Sequence, residues 1–192
     1  MTAVSSVPEL AALLRESGES GATLIGVDGS DGSGKSTSAT ELHALLGWPV
    51  IHLDGYLQHD QGSFVEHLNY PSLADRVRSC PKPCIIEGVC LLAVGERLGV
   101  SIDVHVYVKR FSRSGLWADA DDCEFRGNAD ALITTLDEQV RGIARSMQDS
   151  PGDADRDDVG LTEFRKEVIR YHCHYKPSTV AHHVLQRPEP GA

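Results

Sequence analysis

The chain has 192 residues, 41% hydrophobic, 6% aromatic and 24% charged, an ordinary globular balance that excludes a disordered, collagenous or coiled-coil protein. Its 18 Lys and Arg against 28 Asp and Glu give a formal net charge of −10, which argues against a nucleic-acid partner while allowing a small local pocket for an anion. No apolar run approaches the ~20 residues of a membrane span, residues 1–8 lack the basic start and apolar stretch of a secretory signal, and the five scattered cysteines read as reduced thiols, so one cytoplasmic domain without a membrane partner is expected.

Ser6-Val7-Pro8-Glu9 has capping-box spacing with proline in the first turn, and Leu10, Leu13 and Leu14 continue it as a short helix ending near Gly18. Residues 23–27 read as a buried strand. Ala39, Leu42, Leu45 and Leu46 form a helical stripe, stopped by Gly47 and Pro49. A second strand covers 50–53, a short helix starts at Ser72 and stops at Pro81, and a third strand covers 84–86. The fourth strand, 104–108, is rich in β-branched residues. Two irregular zones, 112–127 and 149–160, bracket a helix with Leu132, Leu136, Val140, Ile143 and Met147 on one face. A last helix carries Phe164, Val168, Tyr171 and Tyr175 and closes at Pro177, before a final strand at 183–185. Strands alternating with helices predict an α/β fold, a parallel sheet of about five strands with helices on both faces. In such sheets ligands bind at the edge where the strands' carboxyl ends point.

Directly after the first strand comes Gly29-Ser30-Asp31-Gly32-Ser33-Gly34-Lys35-Ser36, a complete G-x-x-x-x-G-K-[ST] pattern between an apolar strand and an amphipathic helix. The three glycines free the backbone to aim several N–H groups at one anion, and the helix opening at the loop adds its dipole. Lys35 supplies a positive charge for the outer phosphates of a nucleotide such as ATP. The Ser36 hydroxyl suits Mg²⁺, with Thr37 as a second hydroxyl.

The second strand ends at Asp54, in His52-Leu53-Asp54-Gly55-Tyr56, and the third at Glu87, before Gly88. Carboxylates on that edge can take the proton of an attacking hydroxyl or hold Mg²⁺. The competing readings are a turn-capping aspartate and a structural ion pair. Lys109, Arg110 and Arg113 follow the fourth strand, where basic residues can neutralise charge on a transferring phosphoryl group or can be solvated surface charge. His67, Asn69 and Tyr70 precede a helix and are candidates, with Tyr56, for an acceptor pocket. The third strand lacks the Asp-Glu pair of motor-type ATPases, and no Asn/Thr-Lys-x-Asp occurs, which directs the reading toward a small-molecule kinase. His172-Cys173-His174 and His182-His183 lack zinc-site spacing.

Taken together these segments resemble the uridine kinase-like branch of the P-loop kinases, which includes phosphoribulokinase and one type of pantothenate kinase. The resemblance runs through Ile25-Gly26-Val27-Asp28-Gly29 and the phosphate loop, Asp54-Gly55-Tyr56, Asn69-Tyr70-Pro71, Ile86-Glu87-Gly88 and the tail from Tyr171 to Leu185. It implies a three-layer P-loop NTPase fold and an ATP- and Mg²⁺-dependent phosphotransferase acting on a hydroxyl of a small molecule. Asp54 would be the base, with Lys35, Arg110 and Arg113 acting on the phosphates. Glu87 would hold Mg²⁺ with Ser36, or the acceptor. The resemblance also implies a lid over about 110–127 and a nucleotide base near Lys176-Pro177-Ser178. The sequence departs from the branch in its sparse basic lid, in Gly55 after Asp54, and in His182 after Ala181. The alternative is a nucleotide-binding regulatory module or ATPase without small-molecule transfer. A nucleoside, a pantothenate-like alcohol and a sugar all fit as acceptor, and the sequence leaves the oligomeric state open.

Overall fold

The computed structural model describes residues 1–58, 62–118, 120–125, 127–146 and 160–188. The expected zone 149–160, except Gly160, lies outside them, as do Met147 and Asp119. Six strands form one sheet: β1 (Thr2–Val4), β2 (Leu24–Gly29), β3 (Val50–His52), β4 (Cys84–Glu87), β5 (Val104–Phe111) and β6 (His183–Pro188). All pairings are parallel, in the order β1-β6-β5-β2-β4-β3. The expectation of about five strands is corrected to six. The additional strand is the amino-terminal edge, where Thr2–Val4 pair with His183, Val184 and Leu185. Three residues carry no strand periodicity of their own, and their conformation comes from a partner at the other end of the chain.

The helices are α1 (Val7–Glu19), α2 (Lys35–Leu46), α3 (Tyr70–Ser79), α4 (Leu91–Leu98), α5 (Ala120–Cys123), α6 (Ala129–Ser146), α7 (Glu163–Tyr175) and α8 (Pro177–Val180). Helix α1 begins as expected, with the Ser6 hydroxyl accepting from Glu9 N at 3.3 Å. Helix α4 has no counterpart among the expected elements. Along the strands the side chains alternate. Ile25 and Val27 of β2 and Ile85 of β4 face one core with Leu10 and Leu14 of α1 and Leu42 of α2. Leu24, Cys84 and Ile86 face the other core with Leu73 of α3 and Leu91 and Val94 of α4. Helices therefore cover both faces, as near-continuous apolar strands require. On α6 the buried residue is Ile133, packed with Ile169 of α7, whereas Ile143 of the expected stripe is exposed.

Strand β2 is central. The chain crosses from β2 to β3 on one side of it and from β4 to β5 on the other, which opens a crevice at the carboxyl edge over Gly29. One glycine fixes that edge. A Cβ on Gly88, just past β4, would stand 2.7 Å from Leu53 Cβ, and Leu53 is fully buried. Leu53 opens the 3-10 turn Leu53–Tyr56 that carries Asp54. Gly88→Ala is expected to cost about 1–3 kcal/mol by overpacking, read as a lower urea midpoint. An unchanged midpoint would show that this contact does not set the packing. No helix among the described residues is long and apolar enough to cross a membrane.

Candidate active site

The loop between β2 and α2 is shaped by its glycines. Gly34 has φ +89° at the amino end of α2, a conformation that L side chains resist, and no side chain caps the helix there. The first-turn amides are left for an incoming acceptor group. A Cβ on Gly29 would meet the Ser33 hydroxyl at 2.6 Å and Val108 O at 2.9 Å, so only glycine allows the loop to close against β5. The buried hydroxyls of Ser30 and Ser33 have no hydrogen-bond partner among the described residues. Lys35 is only 6% exposed. Its Nζ donates to Ser30 O at 3.3 Å, and no carboxylate among the described residues pairs with it. A buried ammonium beside orphan amides and unpartnered hydroxyls is an arrangement completed by an anion.

Two carboxylates support the loop. Glu87, at the end of β4, is buried. Its Oε2 accepts from the Ser36 hydroxyl at 3.1 Å, and its Oε1 lies 2.6 Å from His52 Nδ1. Asp28, next to last in β2, is fully buried. Its Oδ1 accepts from Gly29 N at 2.8 Å, while Oδ2 accepts from the Tyr171 hydroxyl and lies 3.3 Å from His105 Nε2. Burial, followed by the Asp28 carboxylate, holds the Tyr171 phenol well above its ordinary range, so it remains a donor. Burial likewise pushes the Cys90 thiol well up, which keeps this neighbour of the loop from acting as a thiolate. Asp28 ties the root of the phosphate loop to α7. Sequence reasoning missed both Asp28 and Tyr171 as site supports, although a carboxylate within a buried strand was a visible signal.

Asp54 is exposed in its 3-10 turn and makes no side-chain hydrogen bond or ion pair among the described residues. With Asp31 and Lys35 it lines a cleft of about 360 Å³, walled by Leu57, Phe64, Val89 and Phe164. Phe64 and Phe164 lie 6.5 Å apart, ring to ring. Glu167 of α7 grips the amides of Phe64 and Val65, at 2.6 and 3.0 Å, and so docks this wall on α7. Glu167 sits among polar residues of a helix and carried no sequence signal.

The other expected acceptor residues do not line the cleft. Tyr56 packs against the core beside α3. His67 contributes its carbonyl to Gln58 N at 2.9 Å, and its side chain is half-buried elsewhere. Asn69 caps α3, its Oδ1 accepting from Ser72 N at 3.2 Å, so the helix starts two residues before the expected Ser72. The Tyr70 hydroxyl donates to Val65 O at 2.7 Å, and its ring lies under Arg97. Glu87 faces Ser36 and does not line the cleft, which separates it from an acceptor.

The irregular zone after the fourth strand is more ordered than expected. Strand β5 extends to Phe111, which pairs antiparallel with Trp117 around a tight turn. Arg110 reaches back over the loop, its Nη1 3.4 Å from Gly32 O. Lys109 lies over the Trp117 ring, 3.7 Å from its centre, and 3.8 Å from Glu124. Arg113 is exposed in the turn. Lys176-Pro177-Ser178 lies at the opposite edge of the sheet, where α8 feeds the first residue of β6. The segment lines neither of the two cavities beside the phosphate loop. His172, within the tail, bonds the Tyr107 hydroxyl at 2.9 Å and Val168 O at 2.8 Å.

No protein-family model matches the chain, and no curated protein matches it. Among solved structures it is similar to that of a possible uridine kinase from Bacillus stearothermophilus, at 15% identity and a TM-score of 0.49, over 93% of this chain and 96% of that one.

Proposed function

We propose that the protein is an ATP- and Mg²⁺-dependent phosphotransferase that moves the γ-phosphoryl group to a hydroxyl of a small molecule. One observation carries the reading: the buried ammonium of Lys35 and the carboxylate of Asp54, neither of them ion-paired among the described residues, line the same cleft. An anion-binding group and a proton acceptor facing one cavity suit in-line transfer, which depends on positioning and electrostatics.

In this reading Lys35 and the loop amides hold the β- and γ-phosphates. Asp54 takes the proton as the acceptor oxygen bonds to phosphorus, the bridge to the β-phosphate breaks, and ADP leaves with the electron pair. Arg110, over Gly32, neutralises charge on the transferring oxygens, and Arg113 stands in the adjacent turn. A hydroxyl and a carboxylate form the oxygen-only donor set that Mg²⁺ prefers, so Ser36 and Glu87 are the residues that would hold it. The ion would supply charge neutralisation on the phosphates. Val89, Phe64 and Phe164 give the cleft an apolar wall that favours the acceptor over water.

The test is a screen of nucleosides, panthenol, pantothenate and sugars with Mg–ATP, scored as ADP formation. Release that appears only with one alcohol, together with its phosphorylated product, supports the reading. Tight Mg–ATP binding with no product from any alcohol, and a nucleotide-dependent change of protein partner, would favour a regulatory module.

A further inference from the structure

The phosphate loop carries a charge of the wrong sign for its task. Asp31 stands between glycines arranged for an anion, and a triphosphate seated there is a like charge at short range. Its Oδ1 accepts from Gly32 N at 3.0 Å, and its Oδ2 has no partner among the described residues. The carboxylate also stands at a junction. It lines the 360 Å³ cleft with Asp54 and a second cavity of about 260 Å³, lined by Ser30, Phe164, Arg165 and Ile169 among others. Phe164 borders both cavities as well. The Ser30 hydroxyl, more than nine-tenths buried and without a partner among the described residues, belongs to the second.

We propose that Asp31 selects the acceptor: its free oxygen receives a second donor group, hydroxyl or amine, of an alcohol that carries no negative charge. The proposal rests on the phosphotransferase reading and deepens it. An acceptor with its reacting hydroxyl at Asp54 meets two carboxylates, Asp31 and Asp54, in the first cleft. The cation of that cleft among the described residues is Lys35, whose Nζ is turned to Ser30 O in the loop. Arg165 lines only the second cavity and does not face the reacting hydroxyl. A phosphate or carboxylate on the acceptor would therefore sit against like charge in a partly apolar site. A neutral or cationic donor offsets the repulsion that Asp31 imposes on the triphosphate, so acceptor and nucleotide reinforce each other through this side chain.

The experiment compares charge twins on the full chain loaded with Mg²⁺ and a non-hydrolysable ATP analogue. The twins are panthenol and pantothenate, ribose and ribose 5-phosphate, and uridine and uridine 3′-phosphate, with binding read by thermal shift and calorimetry. In the wild type the uncharged twin is expected to bind at least about tenfold tighter in every pair that binds. Asp31→Asn should narrow that ratio and at the same time tighten Mg–nucleotide binding, a gain that a merely structural aspartate would not give. Asp31→Lys should invert the ratio. An anionic twin preferred by the wild type, a ratio unchanged in Asp31→Lys, or no response to any of the six by nucleotide-loaded protein would overturn the proposal and leave the phosphotransferase reading standing. Failure of the wild type to bind the nucleotide at all would overturn both.

Discussion

Lys35→Ala is expected to abolish the stabilisation that Mg–ATP confers. The ammonium is buried, it donates to a carbonyl 3.3 Å away, and no carboxylate among the described residues offsets it. Truncating one member of a desolvated charge pair costs about 2–5 kcal/mol, so Mg–ATP binding should weaken about 30-fold to several thousand-fold. The unliganded protein should behave in the opposite manner. An uncompensated buried charge does not stabilise the apo fold, so its melting temperature should stay within about 4 °C of wild type. Thermal melts with and without Mg–ATP read both effects, since a ligand that binds only the folded state raises the midpoint by mass action. A variant that melts far lower without nucleotide, yet keeps the full ligand-induced rise, would show that Lys35 serves the fold and not the phosphates.

Asp54→Asn is expected to separate binding from turnover. The amide keeps the shape of the side chain but cannot accept a proton from the acceptor hydroxyl. General-base assistance contributes about 10²–10⁴-fold, and kcat should fall by that factor on the acceptor that the screen identifies. Mg–ATP affinity should hold within about twofold, because Asp54 stands across the cleft from the loop on its own turn. Stability should hold as well, since the side chain is exposed and makes no bond among the described residues whose loss would be felt. Single-turnover kinetics with preloaded nucleotide isolate the transfer step. Transfer at the wild-type rate would remove Asp54 as base.

These expectations draw on features that differ in how legible they were. The phosphate loop is a local object: eight consecutive residues between an apolar strand and a helix, with spacing that is itself the chemistry. The central strands were equally legible, because β2, β4 and β5 are buried on both faces and read as apolar runs. Strand β1 was not legible, since Thr2–Val4 become a strand only by pairing with β6. Helix α4 escaped for another reason. Leu91–Leu98 is a short apolar run that contains Gly95 and is entered through Cys90 at φ +54°, a start that no capping residue announces.

Within the site, residue type was readable and side-chain direction was not. Asn69 and Tyr70 have the chemistry of ligand donors, yet one caps α3 and the other braces Val65. Asp28 and Tyr171 meet across 143 positions, and Glu167 holds Phe64 across 103, distances over which no spacing rule operates. Their roles follow from α7 packing across the carboxyl edge, which the sequence indicates only as one more amphipathic helix.

The central claim is that the Gly29–Ser36 turn cradles a nucleotide's phosphates, and calorimetric titration of the purified chain with Mg–ATP tests it most directly. The account predicts one saturable site on the wild type that is greatly weakened in Lys35→Ala. No heat of binding to the wild type, or equal affinity in the two proteins, would contradict it.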